Sequence, residues 1–213
     1  MRCSLDQFTL AHNIPAVHAC ASVCLTTNSC RLYCLRLRLT GNECWTFSAV
    51  VNENWNGDPA SSVTFDVCYS TWYHSGDITH FVSGISVSSK QYPINSGDKA
   101  VDGFGCEHHN EWCFHSETYE DDPSWWKADL GAPRSVTTIM VYPSHSHMVE
   151  FTITLGNSSD SSENPIFAQN LVESTTGEIM NFTVTTPMIG RYLEFKTNDN
   201  DQYLMICEVK IFS

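Results

Sequence analysis

No apolar run in the chain approaches the roughly 20 residues that a membrane-spanning helix needs. The stretch Ile139 to Tyr142 is typical of the hydrophobic runs present, so no membrane span is expected. Positive charge is scarce as well. Eleven Lys and Arg stand against 24 Asp and Glu, a formal charge of −13, and a duplex-binding protein must neutralise many phosphates with cations that this chain does not have. Nucleic acid is therefore not an expected partner. Internal repeats and low-complexity segments are absent, and helical periodicity is rare. The opening Met1-Arg2-Cys3-Ser4-Leu5-Asp6 does not lead into the apolar core of about 7–15 residues that a secretory leader carries. The sequence is accordingly read as a mature or trimmed form.

Cysteine, by contrast, is plentiful. Ten occur in 213 residues, at Cys3, Cys20, Cys24, Cys30, Cys34, Cys44, Cys68, Cys106, Cys113 and Cys207, a density that suits an oxidising compartment better than the cytosol. A secreted protein is expected. The sequons Asn157-Ser158-Ser159 and Asn181-Phe182-Thr183 mark Asn157 and Asn181 as candidate glycosylation sites in that setting. With 42% hydrophobic and 12% aromatic residues, the length allows one large domain or two small ones with real cores. Cysteine and charge both divide it in two. Residues 1–72 hold seven of the cysteines and a net charge of −1, whereas residues 73–213 hold three and a net charge of −12.

In the first domain, residues 1–72, Val17, Cys20, Ala21, Cys24 and Leu25 recur at helical spacing, with Pro15 near the first turn and Asn13 as a candidate cap. Cys20 and Cys24 then share one face of the helix. Leu35-Arg36-Leu37-Arg38-Leu39 alternates strictly, Gly41-Asn42 marks a turn, and Trp45 to Val51 resumes in strand-like composition, which predicts a hairpin facing the helix. The cysteine spacings are not the paired C-x2-C units of zinc sites, which favours disulfides. A helix carrying C-x3-C, followed by Cys30 and Cys44 and enclosed by cysteines near both ends, resembles the PAN/apple module of extracellular proteins over about residues 3–68. That resemblance implies the pairs Cys20–Cys44, Cys24–Cys30 and Cys3–Cys68, with Cys34 left over.

In the second domain, residues 73–213, short β-rich runs follow one another: Ser86 to Ser89, Val136 to Tyr142, Glu150 to Leu155, Asn181 to Thr185, Arg191 to Lys196 and Leu204 to Phe212. They predict an antiparallel β-sandwich or jelly roll. The expected fold class is mainly β: a small disulfide-rich α+β module plus an antiparallel jelly roll. Five words appear in order: Ala100-Val101-Asp102-Gly103, Cys113-Phe114-His115-Ser116, Pro123-Ser124-Trp125-Trp126-Lys127-Ala128-Asp129-Leu130-Gly131, Gly190-Arg191-Tyr192-Leu193 and Leu204-Met205-Ile206-Cys207-Glu208-Val209. Together they resemble the F-type lectin (fucolectin) family of galactose-binding-like jelly rolls over about residues 78–213. Trp125, Trp126, Leu130, Tyr192 and Leu193 are the side chains such a sandwich core needs.

The resemblance implies a Cys113–Cys207 bond and a structural calcium ion bound by Asp102 and Glu208. Lys99, Phe104, Trp112 and Cys207 stand where main-chain oxygens would complete its shell of six to eight oxygen ligands. It also implies a sugar site, in which His115 matches the family's histidine. The basic segment expected near Tyr142 to Met148 holds no Arg; His147 falls roughly at the second Arg position, with His145 beside it. Imidazole replaces a guanidinium fork poorly, so fucose held in the usual family geometry is not expected. His115, His145 and His147 remain the candidate ligand contacts, and with His108 and His109 they form a histidine group able to take zinc, the alternative cofactor to calcium. The acidic run Glu117 to Asp122 reads as a solvated face.

The family pairings leave Cys34 and Cys106, one in each domain. These would either bond to each other or bridge between molecules. No Ser/His/Asp order and no paired carboxylate spacing stands out, so an enzyme is not expected. Two functions remain. One is a secreted, noncatalytic recognition protein binding a glycan or an extracellular protein through jelly-roll loops. The other is a structural subunit of an extracellular matrix, coat, oligomer or larger assembly.

Overall fold

The computed structural model describes residues 4–9, 15–27, 30–39, 41–51, 64–70, 76–88, 94–106, 112–117, 122–144, 150–171, 179–200 and 202–213. The chain forms two compact units, Met1–Tyr73 and His74–Ser213.

Unit 1 contains strand β1 (Ser4–Thr9), helix α1 (Ala16–Thr26), and strands β2 (Leu32–Arg36), β3 (Glu43–Phe47), β4 (Ala49–Val51) and β5 (Val67–Ser70). Four of these strands make an antiparallel sheet in the order β1-β3-β2-β5. Pro15 stands immediately before the first helical residue, where its missing N–H leaves no intrahelical bond unmade; Asn13 lies outside the described residues. The helix buries Cys20 and Cys24, and bonds Cys20–Cys44 and Cys24–Cys30 tie it to β3 and to the chain just past its own end. The apolar stripe is shorter than its periodicity predicts, because Leu25 points to solvent at 81% exposure.

The hairpin forms between β2 and β3, with Leu35 opposite Cys44, but its first strand starts upstream of the alternating leucines. Leu37 and Leu39 fall beyond the strand end and are exposed. Pairing stops there because the Leu37 N–H donates to the Asp66 carboxylate (2.7 Å) instead of continuing the ladder. Phe65 packs edge-on against Trp45 and Phe47, with centroids 5.8 and 5.7 Å away, while Trp45 and Phe47 stack at 6.4 Å.

The expected cysteine pairing changes here. Cys34 and Cys68 sit directly opposite each other on β2 and β5 and are bonded. Neither Cys3–Cys68 nor Cys34–Cys106 therefore exists. Strand register decides the matter, since facing residues of an antiparallel pair are within disulfide reach without backbone movement. Cys3 and the side chain of Cys106 lie outside the described residues.

Unit 2 is built on strands β6 (Gly84–Val87), β7 (Phe104–Cys106), β8 (Phe114–His115), β9 (Trp125–Pro143), β10 (Phe151–Gly156), β11 (Ile166–Asn170), β12 (Met180–Thr197) and β13 (Met205–Phe212). Its antiparallel sheet runs β11-β10-β12-β9-β13-β8, and β6 also pairs with β9. The sequence reading has short strands where β9 and β12 are 19 and 18 residues long. The chain passes through Gly131, Pro133 and Pro187 as strand, with register shifts between Thr183 and Met188 and between Gly190 and Tyr192. The first half of β9 pairs with β6 and its second half with β13. Both halves feed one core: Trp126, Ala128 and Leu130 pack with Val136, Ile139 and Val141. The sheet therefore bends around that core, which produces the jelly roll.

Trp126, Leu130 and Leu193 are fully buried, whereas Trp125 and Tyr192 are half-buried. Trp125 alternates away from Trp126 on the pleat and carries the Lys127 ammonium over its ring at 5.2 Å. The words Ala128-Asp129-Leu130-Gly131 and Gly190-Arg191 meet in space, since Arg191 binds the Asp129 carboxylate through two hydrogen bonds of 2.7 and 2.8 Å. That contact holds the Asp129 carboxyl below its ordinary range.

Candidate functional site

β8 and β13 form the sheet edge that carries His115, which sits opposite Met205. Two residues before His115, the Cys113–Cys207 bond joins the same two chain segments. Asn95 braces the edge twice: its side-chain amide donates to the Cys113 carbonyl (2.9 Å), and its own carbonyl accepts the His115 N–H (3.2 Å). Ser116 and Leu204 exchange bonds of 2.8 and 3.0 Å. Asn95, Ser116 and Ser144 are buried polar residues, and the Ser144 N–H donates to the Met205 carbonyl. The His115 backbone is thus fixed from both sides, a rigid support of the kind a recognition residue needs.

The His115 ring is half-buried and lies 4.9 Å from the Tyr203 ring at 52°. Tyr203 and Asn95 were not among the residues singled out from the sequence. Of the other two expected contacts, His145 and His147 lie outside the described residues, as do His108 and His109. Among the described residues no group of three or more His, Cys, Asp or Glu side chains is gathered for a metal. Most of the acidic run, residues 118–121, also lies outside them.

Burial pushes the His115 imidazole below its ordinary value of 6.5, so the fold favours the neutral ring. As pH falls, the unfolded chain takes up this proton first. Stability present above pH 6.5 is therefore lost as pH drops through that value toward the lower folded value. The thermal midpoint should fall more steeply from pH 7.5 to 5 in the wild type than in His115→Gln. Equal slopes in a pH series of thermal melts would show that the ring is not desolvated.

The expected calcium ligands are brought together in part. The Glu208 carboxylate, buried on β13, accepts the Gly103 N–H at 3.1 Å, and the Asp102 carboxylate accepts the Phe104 N–H at 3.0 Å. Burial, and then the nearby Asp102 charge, push Glu208 well above the ordinary carboxylate range. Burial also raises Asp102, against the pull of the Phe104 N–H and of Lys99. The second Asp102 oxygen faces the Lys99 ammonium at 3.4 Å. As arranged, the two carboxylates are engaged by protein donors where calcium would need free oxygens: the Lys99 ammonium faces Asp102, and the Gly103 and Phe104 N–H groups donate to Glu208 and Asp102.

An antiparallel jelly roll with a disulfide-braced loop edge defines a β-sandwich module. Residues 83–209 match the model of the F5/8 type C domain, more than half of the chain, and the chain belongs to that family. Among solved structures it is similar to a fucolectin from striped bass (Morone saxatilis) serum, with TM-score 0.55 and 20% identity, covering 66% of this chain and 50% of that one. The chain thus spans half the length of that fucolectin. It is similar also to the family 32 carbohydrate-binding module of C. perfringens NanJ, solved in complex with galactose (TM-score 0.52, 14% identity, 65% of this chain and 98% of that one). A third is the lectin domain of lectinolysin, complexed with Lewis B antigen (TM-score 0.51, 19% identity, 66% and 98%). At these identities the likeness is one of fold. No curated protein sequence matches the chain. Among the described residues no helix is long and apolar enough to cross a membrane.

Proposed function

We propose that the chain is a secreted, noncatalytic recognition protein whose jelly-roll unit binds a glycan at the edge built by β8 and β13. The observation that carries this reading is the His115–Tyr203 pair, a neutral imidazole donor or acceptor beside an aromatic face on a braced backbone. Sugars are held by that combination, polar groups meeting hydroxyls and a ring meeting the apolar face of the pyranose. The complexes of similar modules with galactose and Lewis B antigen support the ligand class. Fucose in the usual family geometry is not part of the proposal, because residues 142–148 contain no Arg.

Unit 1 is proposed to be a PAN/apple-like module for protein contact, supported by a helix bonded through Cys20 and Cys24 onto and beside a four-stranded antiparallel sheet. Four disulfides among the described residues, together with exposed sequons at Asn157 and Asn181, support secretion and glycosylation. A glycan array on the folded chain tests the proposal. At least one glycan class should bind, and His115→Ala or Tyr203→Ala should weaken that binding at least ~10-fold, about 1.4 kcal/mol. A blank array on folded protein would favour the second reading, a subunit of a matrix, coat or larger assembly.

A further inference from the structure

We infer that the Asp102 loop is organised by an internal cation, the Lys99 ammonium, in the place where a jelly roll of this kind would hold a metal ion. Four observations converge on it. The short 3-10 turn Gly97–Ala100 delivers Lys99 three residues before Asp102, and its Nζ lies 3.4 Å from the carboxylate. The same ammonium lies 5.1 Å from the centroid of the Trp112 ring, within cation–π range. Phe104 closes the group by meeting Trp112 edge-on, at 5.1 Å and 78°. Beneath the turn, the Gly103 N–H reaches down to the buried Glu208. Three parts of the chain that an ion would tie together are thus tied by one amino group: the 3-10 turn, the Asp102-Gly103 turn and the Trp112 segment.

The chemistry of the side chains agrees. A calcium ion needs six to eight oxygens and tolerates no cation at contact distance, and an ammonium placed against Asp102 would repel it. Lysine also brings a long apolar stem that packs against an aromatic ring, which a hydrated metal cannot do. The Trp112 ring suits that side chain. The loop so built does not depend on free calcium concentration.

Thermal melts of the full chain in 5 mM calcium chloride (~5 mM, far above the dissociation constant of an extracellular calcium module) and in excess EDTA test this directly. The wild type should melt at the same temperature in both. Lys99→Arg, which keeps the charge, should melt close to wild type. Lys99→Asn should melt roughly 2–4 °C lower in EDTA, and calcium should recover at least half of that loss, since the variant vacates the cation position beside Asp102. A wild type stabilised by calcium would overturn the inference. So would a Lys99→Asn variant that melts like wild type, or one whose loss calcium leaves unchanged.

Discussion

Trp126→Ala will destabilise the jelly roll by about 3–5 kcal/mol, the cost of removing a fully buried indole from a close-packed core. Such a loss would take a large part of the ~5–15 kcal/mol that holds an ordinary domain folded. Trp126 is 0% exposed and packs edge-on to Phe195 with centroids 5.7 Å apart. Its indole N–H donates to the Gly97 carbonyl at 2.8 Å. Gly97 has no room for a side chain, because a Cβ there would come within 2.6 and 2.7 Å of Val87 and Ile85 methyl groups. The tryptophan therefore anchors a turn pressed tightly onto the sheet. Two residues before Gly97 is Asn95, which braces the His115 strand, and two after it is Lys99.

Truncating Trp126 should accordingly loosen both the candidate glycan edge and the Asp102 loop. Urea unfolding followed by circular dichroism measures the stability change, and an alanine variant within 1 kcal/mol of wild type (about the net worth of one hydrogen bond) would refute the anchoring role. Trp126→Phe separates packing from hydrogen bonding. It keeps most of the ring and deletes the N–H, for an expected cost of about 0.5–1.5 kcal/mol from the lost hydrogen bond to Gly97. That milder variant remains measurable if the alanine form does not accumulate.

Much of unit 2 was legible because its strands alternate and because short-range words carry tertiary contacts. Asp129 and Arg191 are 62 residues apart, but each sits in a word whose other members set the local strand, so the words reported a contact as well as a fold. The merging of β9 and β12 was not legible. Gly131, Pro133 and Pro187 signal turns locally, and only the partner strands show that the chain absorbs them as bulges. The same limit hid part of unit 1. Leu25, Leu37 and Leu39 fit apolar periodicities, yet no neighbour covers them in the unit, and periodicity records only the face a residue shares.

At the candidate site, His115 could be found because it lies within the word beginning at Cys113. Tyr203 lies just outside the final word and touches His115 only because β13 pairs with β8. Asn95 acts through bonds to residues 18 and 20 positions away that no spacing rule joins. Lys99 was found as a position through its main-chain oxygen, and the contact of its ammonium with Asp102 is a further one that the sequence did not signal. A side chain that brings its own charge changes the chemistry of a loop without changing the loop's place in the fold.

The double variant Cys34→Ser, Cys68→Ser will lower the stability of unit 1 by about 3–4 kcal/mol, the chain-entropy worth of a crosslink spanning a few tens of residues. The bond closes a sequence separation of 34, the longest of the three among the described residues of the unit. It also joins β2 to β5, and β5 is the sheet's outer strand, paired on one side only in the order β1-β3-β2-β5. Four residue pairs, from Leu32 opposite Ser70 to Leu35 opposite Val67, set the register of that strand. The neighbouring Tyr33–Tyr69 stack, with centroids 5.1 Å apart, rests on the same register. Deleting both sulfurs removes the crosslink without creating a new free thiol, and serine at the buried Cys34 position adds a small desolvation cost that deepens the effect. Hydrogen exchange read by mass spectrometry should show peptides covering β2 and β5 losing protection, with β5 affected most. Nonreducing peptide mapping of the wild type should recover Cys34 linked to Cys68. Recovery of Cys68 linked to any other cysteine would break both the register and the predicted loss, since the strand would then be held by a different closure.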